Sequence, residues 1–194
     1  MIDKRRLEKL YNEDKKSMQE IAALLGCSVN RIVYWMRKHG IARRSISEAV
    51  YARVNPNGDP FKLRAPRNME EAKLLGLGIG LYWGEGTKAS KNAVRLGNSD
   101  PALMRKFMEF LQVLCGVAKQ DFKFELQIYS DVDKKAVEQL WIKALDIKEK
   151  QLYKTRVTER RGNGSYRRKN QYGVMTIYYG NTKLRNKLVG LLPR

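Results

Sequence analysis

From Met69 to Gly84 the chain runs MEEAKLLGLGIGLYWG, a helical pattern in everything except its glycines. Gly76, Gly80 and Gly84 recur every four residues, so on a helix they share one face and leave it flat. Each glycine costs roughly 1 kcal/mol relative to alanine in a helix interior, so such a stripe asks for a compensating contact. A flat face supplies one by letting a second helix backbone approach closely, the packing logic of small-residue stripes in membrane helices. This run is too short, and its flanks too charged, to be a membrane span itself. The expectation is a helix–helix interface at Gly76, Gly80 and Gly84, either between two copies of the chain or inside one domain. A phosphate-binding loop is the competing account of these glycines. It requires a preceding strand, places a third glycine where this chain has Trp83, and in its P-loop form continues into a GK[ST] that is missing here. No small-molecule cofactor is expected.

The charge balance constrains the partner. Among 194 residues, 39 lysines and arginines stand against 20 aspartates and glutamates, a formal net charge of +19. A polyanion is the natural counterpart, because each neutralised phosphate releases condensed counterions. The alternative is a basic protein that meets nucleic acid only incidentally, as some ribosome-associated or membrane-surface proteins do. No stretch approaches the roughly 18 apolar residues of a membrane span, and MIDKRRLEKLYNEDKK lacks the apolar core of a signal peptide. No membrane partner is expected, and a cytoplasmic, nucleoid-associated location is. Two cysteines, Cys27 and Cys115, and one histidine cannot assemble a four-ligand zinc site in one chain. A Ser-His-Asp hydrolase is equally disfavoured, since His39, between Lys38 and Gly40, reads as a helix end with a structural role.

The first 46 residues read as an all-α module. Leu7, Leu10 and Tyr11 fall at helical spacing, and Ser17 with Glu20 has the form of a capping box opening a second helix. That helix ends at Gly26, a residue that tolerates the left-handed conformation. Ser28 then caps a third helix, Val29 to His39, with Ile32, Val33 and Met36 as its apolar stripe and Gly40 at its end. The stretch IAALLGCSVNRIVYWMRKHGI resembles the helix-turn-helix of many DNA-binding regulators and recombinase tails. In that arrangement the third helix enters the major groove, with Asn30, Arg31 and Tyr34 reaching base edges or phosphates and Trp35, Arg37 and Lys38 along the groove wall. Arg43 and Arg44, in the ARRS that follows, can trail along the backbone or into the minor groove. The alternative is an ordinary three-helix packing unit with solvated charges.

Periodicity fades between residues 47 and 68, where VNPNGDPFKLRAPRN carries three prolines and turn-forming asparagines; this is read as a linker. A second domain, 69–194, starts with the glycine-striped helix. Three later stretches, VRLGNSDPALMRKFMEFLQVL, FELQIYSDVDKKAVEQLWIKAL and GVMTIYYGNTKLRNKLVGLL, each read as a strand, a polar turn and an amphipathic helix. Asn98, Ser99 and Asp100 are expected to cap the helix that begins at Pro101. Period-two spacing sends Arg95, Lys123, Glu125 and Gln127 to a single side of a sheet, a surface suited to DNA. From Lys148 to Tyr172 lies a further basic stretch, with Arg160, Arg161, Arg167 and Arg168 flanking the Gly-Asn-Gly of a hairpin turn. It is expected to extend along a groove, with a solvated surface loop as the alternative.

Residues 78–86, GIGLYWGEG, resemble the nine-residue motif of the LAGLIDADG homing endonucleases without a gap. Gly80 falls on the motif's first glycine, Leu81 on its second leucine, Glu85 on the catalytic acid and Gly86 on the final glycine. Trp83 stands in place of the first aspartate, Gly84 in place of the alanine and Gly78 in place of the first leucine. The resemblance, extended over residues 70–192, implies an α+β fold: a helix-turn-helix module followed by a LAGLIDADG-like domain with a mixed or antiparallel DNA-facing sheet. It also implies metal-dependent cleavage of double-stranded DNA. With one motif per chain, cleavage requires a homodimer in which Glu85 and its symmetry mate hold Mg²⁺. Lys88 lies beside the phosphate or is solvated. The runner-up is a non-cleaving transcription regulator that keeps a degenerate form of this domain, and a third class is an RNA-binding or intron-splicing factor. A nuclease of the PD-(D/E)xK type finds only a loose imitation in Asp121, Glu125 and Gln127, with the lysine missing.

Overall fold

The computed structural model describes residues 1–159 and 172–193. Its contacts divide the chain into two compact units, Met1–Pro60 and Phe61–Arg194. Among the described residues the fold is α+β, with eight α-helices and one four-stranded mixed sheet.

In the first unit α1 (Lys4–Glu8) runs on into a π-helical turn, Lys9–Glu13. α2 (Met18–Leu24) opens on the expected capping box: the Ser17 hydroxyl accepts from the Glu20 amide at 3.1 Å, and the Glu20 carboxylate accepts from the Ser17 amide at 2.7 Å. Gly26 turns the chain at φ +60°. α3 (Val29–Lys38) is capped by Ser28, which accepts from the Arg31 amide. Leu7, Tyr11, Ile21, Ala22, Ile32, Met36 and Ile41 close a core of their own. Val33 is only half-buried, and half-buried Val29 and Trp35 pack against that core as well, so the stripe of α3 is Val29, Ile32, Trp35 and Met36.

The expected linker is structured at both ends. α4 (Ile46–Val54) begins on a second capping box, Ser45 with Glu48, and buries no side chain. The second unit starts eight residues before Met69: Phe61 is buried, and the amides of Lys62 and Arg64 donate to the carbonyls of Cys115 (2.8 Å) and Leu114 (3.0 Å). Arg64 grips both oxygens of Glu71 at 2.6 and 2.7 Å, and the Arg67 amide adds a third bond at 2.8 Å.

α5 (Met69–Glu85) carries the glycines. The three strand–turn–helix units follow as β1 (Val94–Asn98) with α6 (Pro101–Val113), β2 (Lys123–Tyr129) with α7 (Lys134–Leu145), and β4 (Val174–Tyr179) with α8 (Thr182–Gly190). Each helix opens on a polar cap in its turn: Asp100, Asp133 and Asn181. A short β3 (Arg156–Thr158) lies between α7 and β4 in the chain. The sheet order is β1-β4-β2-β3, antiparallel except for the β2/β3 pair. Residues 160–171, which hold the Gly-Asn-Gly turn and Arg160, Arg161, Arg167 and Arg168, fall outside the described residues. The expected basic hairpin around that turn therefore lies outside the described residues.

One sheet face is apolar. Val94, Leu96, Phe124, Leu126, Ile128, Met175, Ile177 and Tyr179 join Phe107, Phe110, Trp141 and Leu184 of the helices in a single core. Burial of such side chains contributes about 1.5–3 kcal/mol each. Among the described residues the other face is polar and open.

Candidate nucleic-acid interface

α3 presents two distinct sides. Asn30, Arg31, Tyr34, Arg37 and Lys38 are all exposed, opposite the buried Ile32 and Met36. At helical spacing the five fall within an arc of about 120°. The Trp35 ring takes the edge of Tyr34 (centroids 5.4 Å apart), the stacked ring of His39 (5.3 Å) and the Lys38 ammonium (5.0 Å). His39 also bonds the Ile2 carbonyl through Nε2 at 2.9 Å, the structural part expected of it, and Trp35 serves this packing rather than an outer wall. Of the two arginines behind α3, only Arg43 is exposed. Arg44 is spent inside the unit: its guanidinium donates to the carbonyls of Lys15 (3.0 Å) and Lys16, and lies 4.2 Å over the Tyr11 ring. Its amide donates to the Tyr11 hydroxyl at 2.8 Å, so Arg44 fastens the ARRS segment to the first helix.

In the second unit the open sheet face gathers Arg95, Lys123, Glu125 and Gln127, as period two requires, together with Tyr178 and Arg156. These side chains are linked. The Arg95 guanidinium lies 4.5 Å over the Tyr178 ring and donates to its hydroxyl at 2.8 Å. That hydroxyl donates to Glu125 Oε2, while Arg156 binds Glu125 Oε1 at 2.6 Å. Burial, then the hydrogen bond to Glu125, raises the Tyr178 phenol above its ordinary pKa, so it stays protonated and donating at neutral pH. Gln127 donates to Thr158 at 3.3 Å, Lys123 to the Lys150 carbonyl at 3.3 Å, and the Tyr153 ring meets Tyr178 edge-on. Arg156 and Tyr178 were missed as face residues in the sequence. Tyr178 was legible, since it alternates with Ile177 and Tyr179, but three-residue β3 has no periodicity to read.

Glu85 is the last residue of α5 and is exposed. It forms no hydrogen bond or ion pair with another described residue. The backbone just beyond it is stitched to the sheet edge: Gly86 bridges to Leu96, and the Thr87 amide donates to the Arg95 carbonyl at 2.9 Å. Lys88 closes the end of α5 by donating to the Trp83 carbonyl at 2.6 Å, a helix-terminal role that neither reading of the sequence included. Arg185, also missed, holds the following loop through the carbonyls of Lys88 and Ser90. No group of three or more His, Cys, Asp or Glu side chains that could hold a metal ion lies among the described residues. Of the expected caps only Asp100 is the helix cap, accepting from the Ala102 amide at 2.7 Å; Asn98, at the end of β1, accepts from the Asp100 amide at 2.9 Å.

The glycines of α5 divide into two kinds. Gly78 is buried, and a Cβ there would stand 2.1 Å from the Phe110 ring. Gly76, Gly80 and Gly84 are exposed, with nothing within 4 Å of a Cβ at any of them. Leu77 and Trp83 are exposed on the same helix. The close approach that the sequence demands within the domain is therefore made at Gly78, and no helix among the described residues packs against the four-residue stripe.

No protein-family model, curated protein or solved structure matches the chain. No helix among the described residues is long and apolar enough to cross a membrane.

Proposed function

We propose that this chain binds double-stranded DNA sequence-specifically, reading base edges through the outer arc of α3 and holding the backbone through its basic surfaces. The observation that carries this reading is the two-sided α3: five polar, cationic or aromatic side chains exposed on one arc, the opposite arc locked into a core. Charge of +19 supplies the nonspecific attraction that such a helix needs. Arg43, Arg95, Lys123 and Gln127 are the further contacts, Arg44 and Lys88 being bound more closely to the chain's own carbonyls than Lys123, whose bond to the Lys150 carbonyl is 3.3 Å long. DNA binding would associate the protein with the nucleoid.

The uncovered stripe at Gly76, Gly80 and Gly84 supports a homodimer on a near-palindromic site. Such a dimer carries two copies of Glu85, and the likeness of GIGLYWGEG to the LAGLIDADG motif supports metal-dependent cleavage by that pair. Trp83 in place of the motif's first aspartate supports the non-cleaving regulator instead. One selection separates the two. A randomised duplex library is incubated with the purified protein, with and without Mg²⁺, and bound and cut duplexes are sequenced. The endonuclease reading expects cutting with Mg²⁺ that Glu85→Gln reduces by orders of magnitude while binding survives. A wild type that selects a palindrome and never cuts it with Mg²⁺ or Mn²⁺ leaves the regulator, and one that selects no duplex at all overturns the DNA-binding proposal.

A further inference from the structure

Among the described strand residues of the open sheet face Glu125 is the only carboxylate, and it stands between that face's cations. Its two oxygens are already taken, one by Arg156 at 2.6 Å and the other by the Tyr178 hydroxyl, over whose ring Arg95 lies. Its side chain is only 22% exposed, whereas that of Arg156 is 65% exposed, so the arginine is free to swing to another anion if the carboxylate releases it. A second sign of unused donor capacity is Arg95 Nε, which is buried without a hydrogen-bond partner.

We infer that Glu125 is an internal anion that occupies Arg156 and so restrains nonspecific phosphate binding on this face, making it a specificity-determining residue that acts through the arginine it positions. This inference rests on the DNA-binding proposal above. The physical reasoning is competition. A phosphate approaching the sheet meets Arg156 already neutralised and a carboxylate in its path, so that contact forms only where the rest of the duplex fits well enough to displace Glu125. Removing the charge frees the arginine for any phosphate, on any sequence. Gln keeps a carbonyl oxygen for the Tyr178 hydroxyl, so the face should hold its shape.

The test compares wild type, Glu125→Gln, Arg156→Ala and the double variant. Each is titrated with a site chosen from the randomised library and with a scrambled duplex of equal length, across a salt series. For Glu125→Gln the expected result is tighter binding to the scrambled duplex, a smaller ratio between chosen and scrambled sites, and a slope of log K against log salt steeper by about 0.9, the value of one additional phosphate contact. The gain over wild type should then shrink about 3.5-fold between 50 and 200 mM salt, as that slope dictates. Arg156→Ala should abolish the gain in the double variant. Unchanged slopes and ratios in Glu125→Gln, or equal weakening on both duplexes with an unaltered melting temperature, would overturn the inference while leaving the DNA-binding proposal standing. If wild type binds neither duplex, the underlying proposal fails first. Thermal melts of all four proteins separate lost folding from lost binding, and Glu125→Ala, which removes the carboxylate entirely, should reproduce the steeper slope if Glu125→Gln does not fold.

Discussion

Glu71 shows how one ion pair fixes where the second unit begins. Its hydrogen bonds to the Arg64 guanidinium first, and to the Arg67 amide second, bring its carboxyl from an ordinary 4.5 down to about 2. A depressed carboxylate pKa stabilises the fold fully above the unfolded value and loses that contribution as pH falls through the folded one. The melting temperature of wild type should therefore exceed that of Glu71→Gln at neutral pH. The gap should start to close below about 4.5 and vanish only below about 2, as followed by circular dichroism at each pH; a gap independent of pH would mean that the charge does no work there. The same scale shows what the sequence conceals. Arg43 and Arg44 are chemically alike and adjacent, yet only Arg44 reaches the carbonyls of Lys15 and Lys16, a contact made across the fold. Helical periodicity and charge clustering carry no record of such long-range hydrogen bonds, so both arginines read as DNA ligands. Local signals were legible. Ser17 with Glu20, Ser28, Asp100 and Gly26 all sit where their short-range chemistry places them.

At the level of elements, the strand–turn–helix units were readable because each couples a period of two to a period of 3.6 across a polar cap. α4 was hidden by its surroundings. Its Ile46, Val50 and Val54 fall at helical spacing but are exposed, and they and the Ser45–Glu48 capping pair sit against the proline-rich run that reads as linker. α5 was legible as a helix, and spacing already sets Gly78 on the face opposite Gly76, Gly80 and Gly84, but which face packs inside the domain shows only in the position of Phe110. That distinction is measurable. Gly78→Ala drives a methyl into the Phe110 ring and should destabilise by about 1–3 kcal/mol. Gly80→Ala meets open space and should stabilise the isolated chain by up to about 1 kcal/mol. Urea denaturation of both variants at low protein concentration checks the pair; equal effects would contradict the two-sided account of α5. Gly80→Leu then addresses assembly, since a bulky side chain on the stripe should abolish a dimer seen by sedimentation on DNA. An association state that Gly80→Leu leaves unchanged would take the stripe out of the interface.

For the whole molecule, the sequence established a basic chain of two units and the residue types on its surfaces, while the structure decided which cations are free. Arg31, Arg37 and Arg43 are exposed around or behind α3, whereas Arg44, Arg64 and Arg185 hold the chain to itself. In the proposed function the first group contacts DNA, with Asn30 and Arg31 discriminating sequence and the remaining cations supplying affinity. The most direct test is a salt series of binding constants for a library-selected duplex and its scrambled counterpart, measured by fluorescence anisotropy on wild type and on the Asn30→Ala, Arg31→Ala double variant. For wild type the account predicts a slope of log K against log salt more negative than about −4, as for a protein engaging several phosphates. It also predicts that the double variant loses roughly tenfold or more on the selected site, as when one good bidentate base contact is removed, with a much smaller loss on the scrambled one. A wild-type slope near zero, or an equal loss on both duplexes, would contradict it.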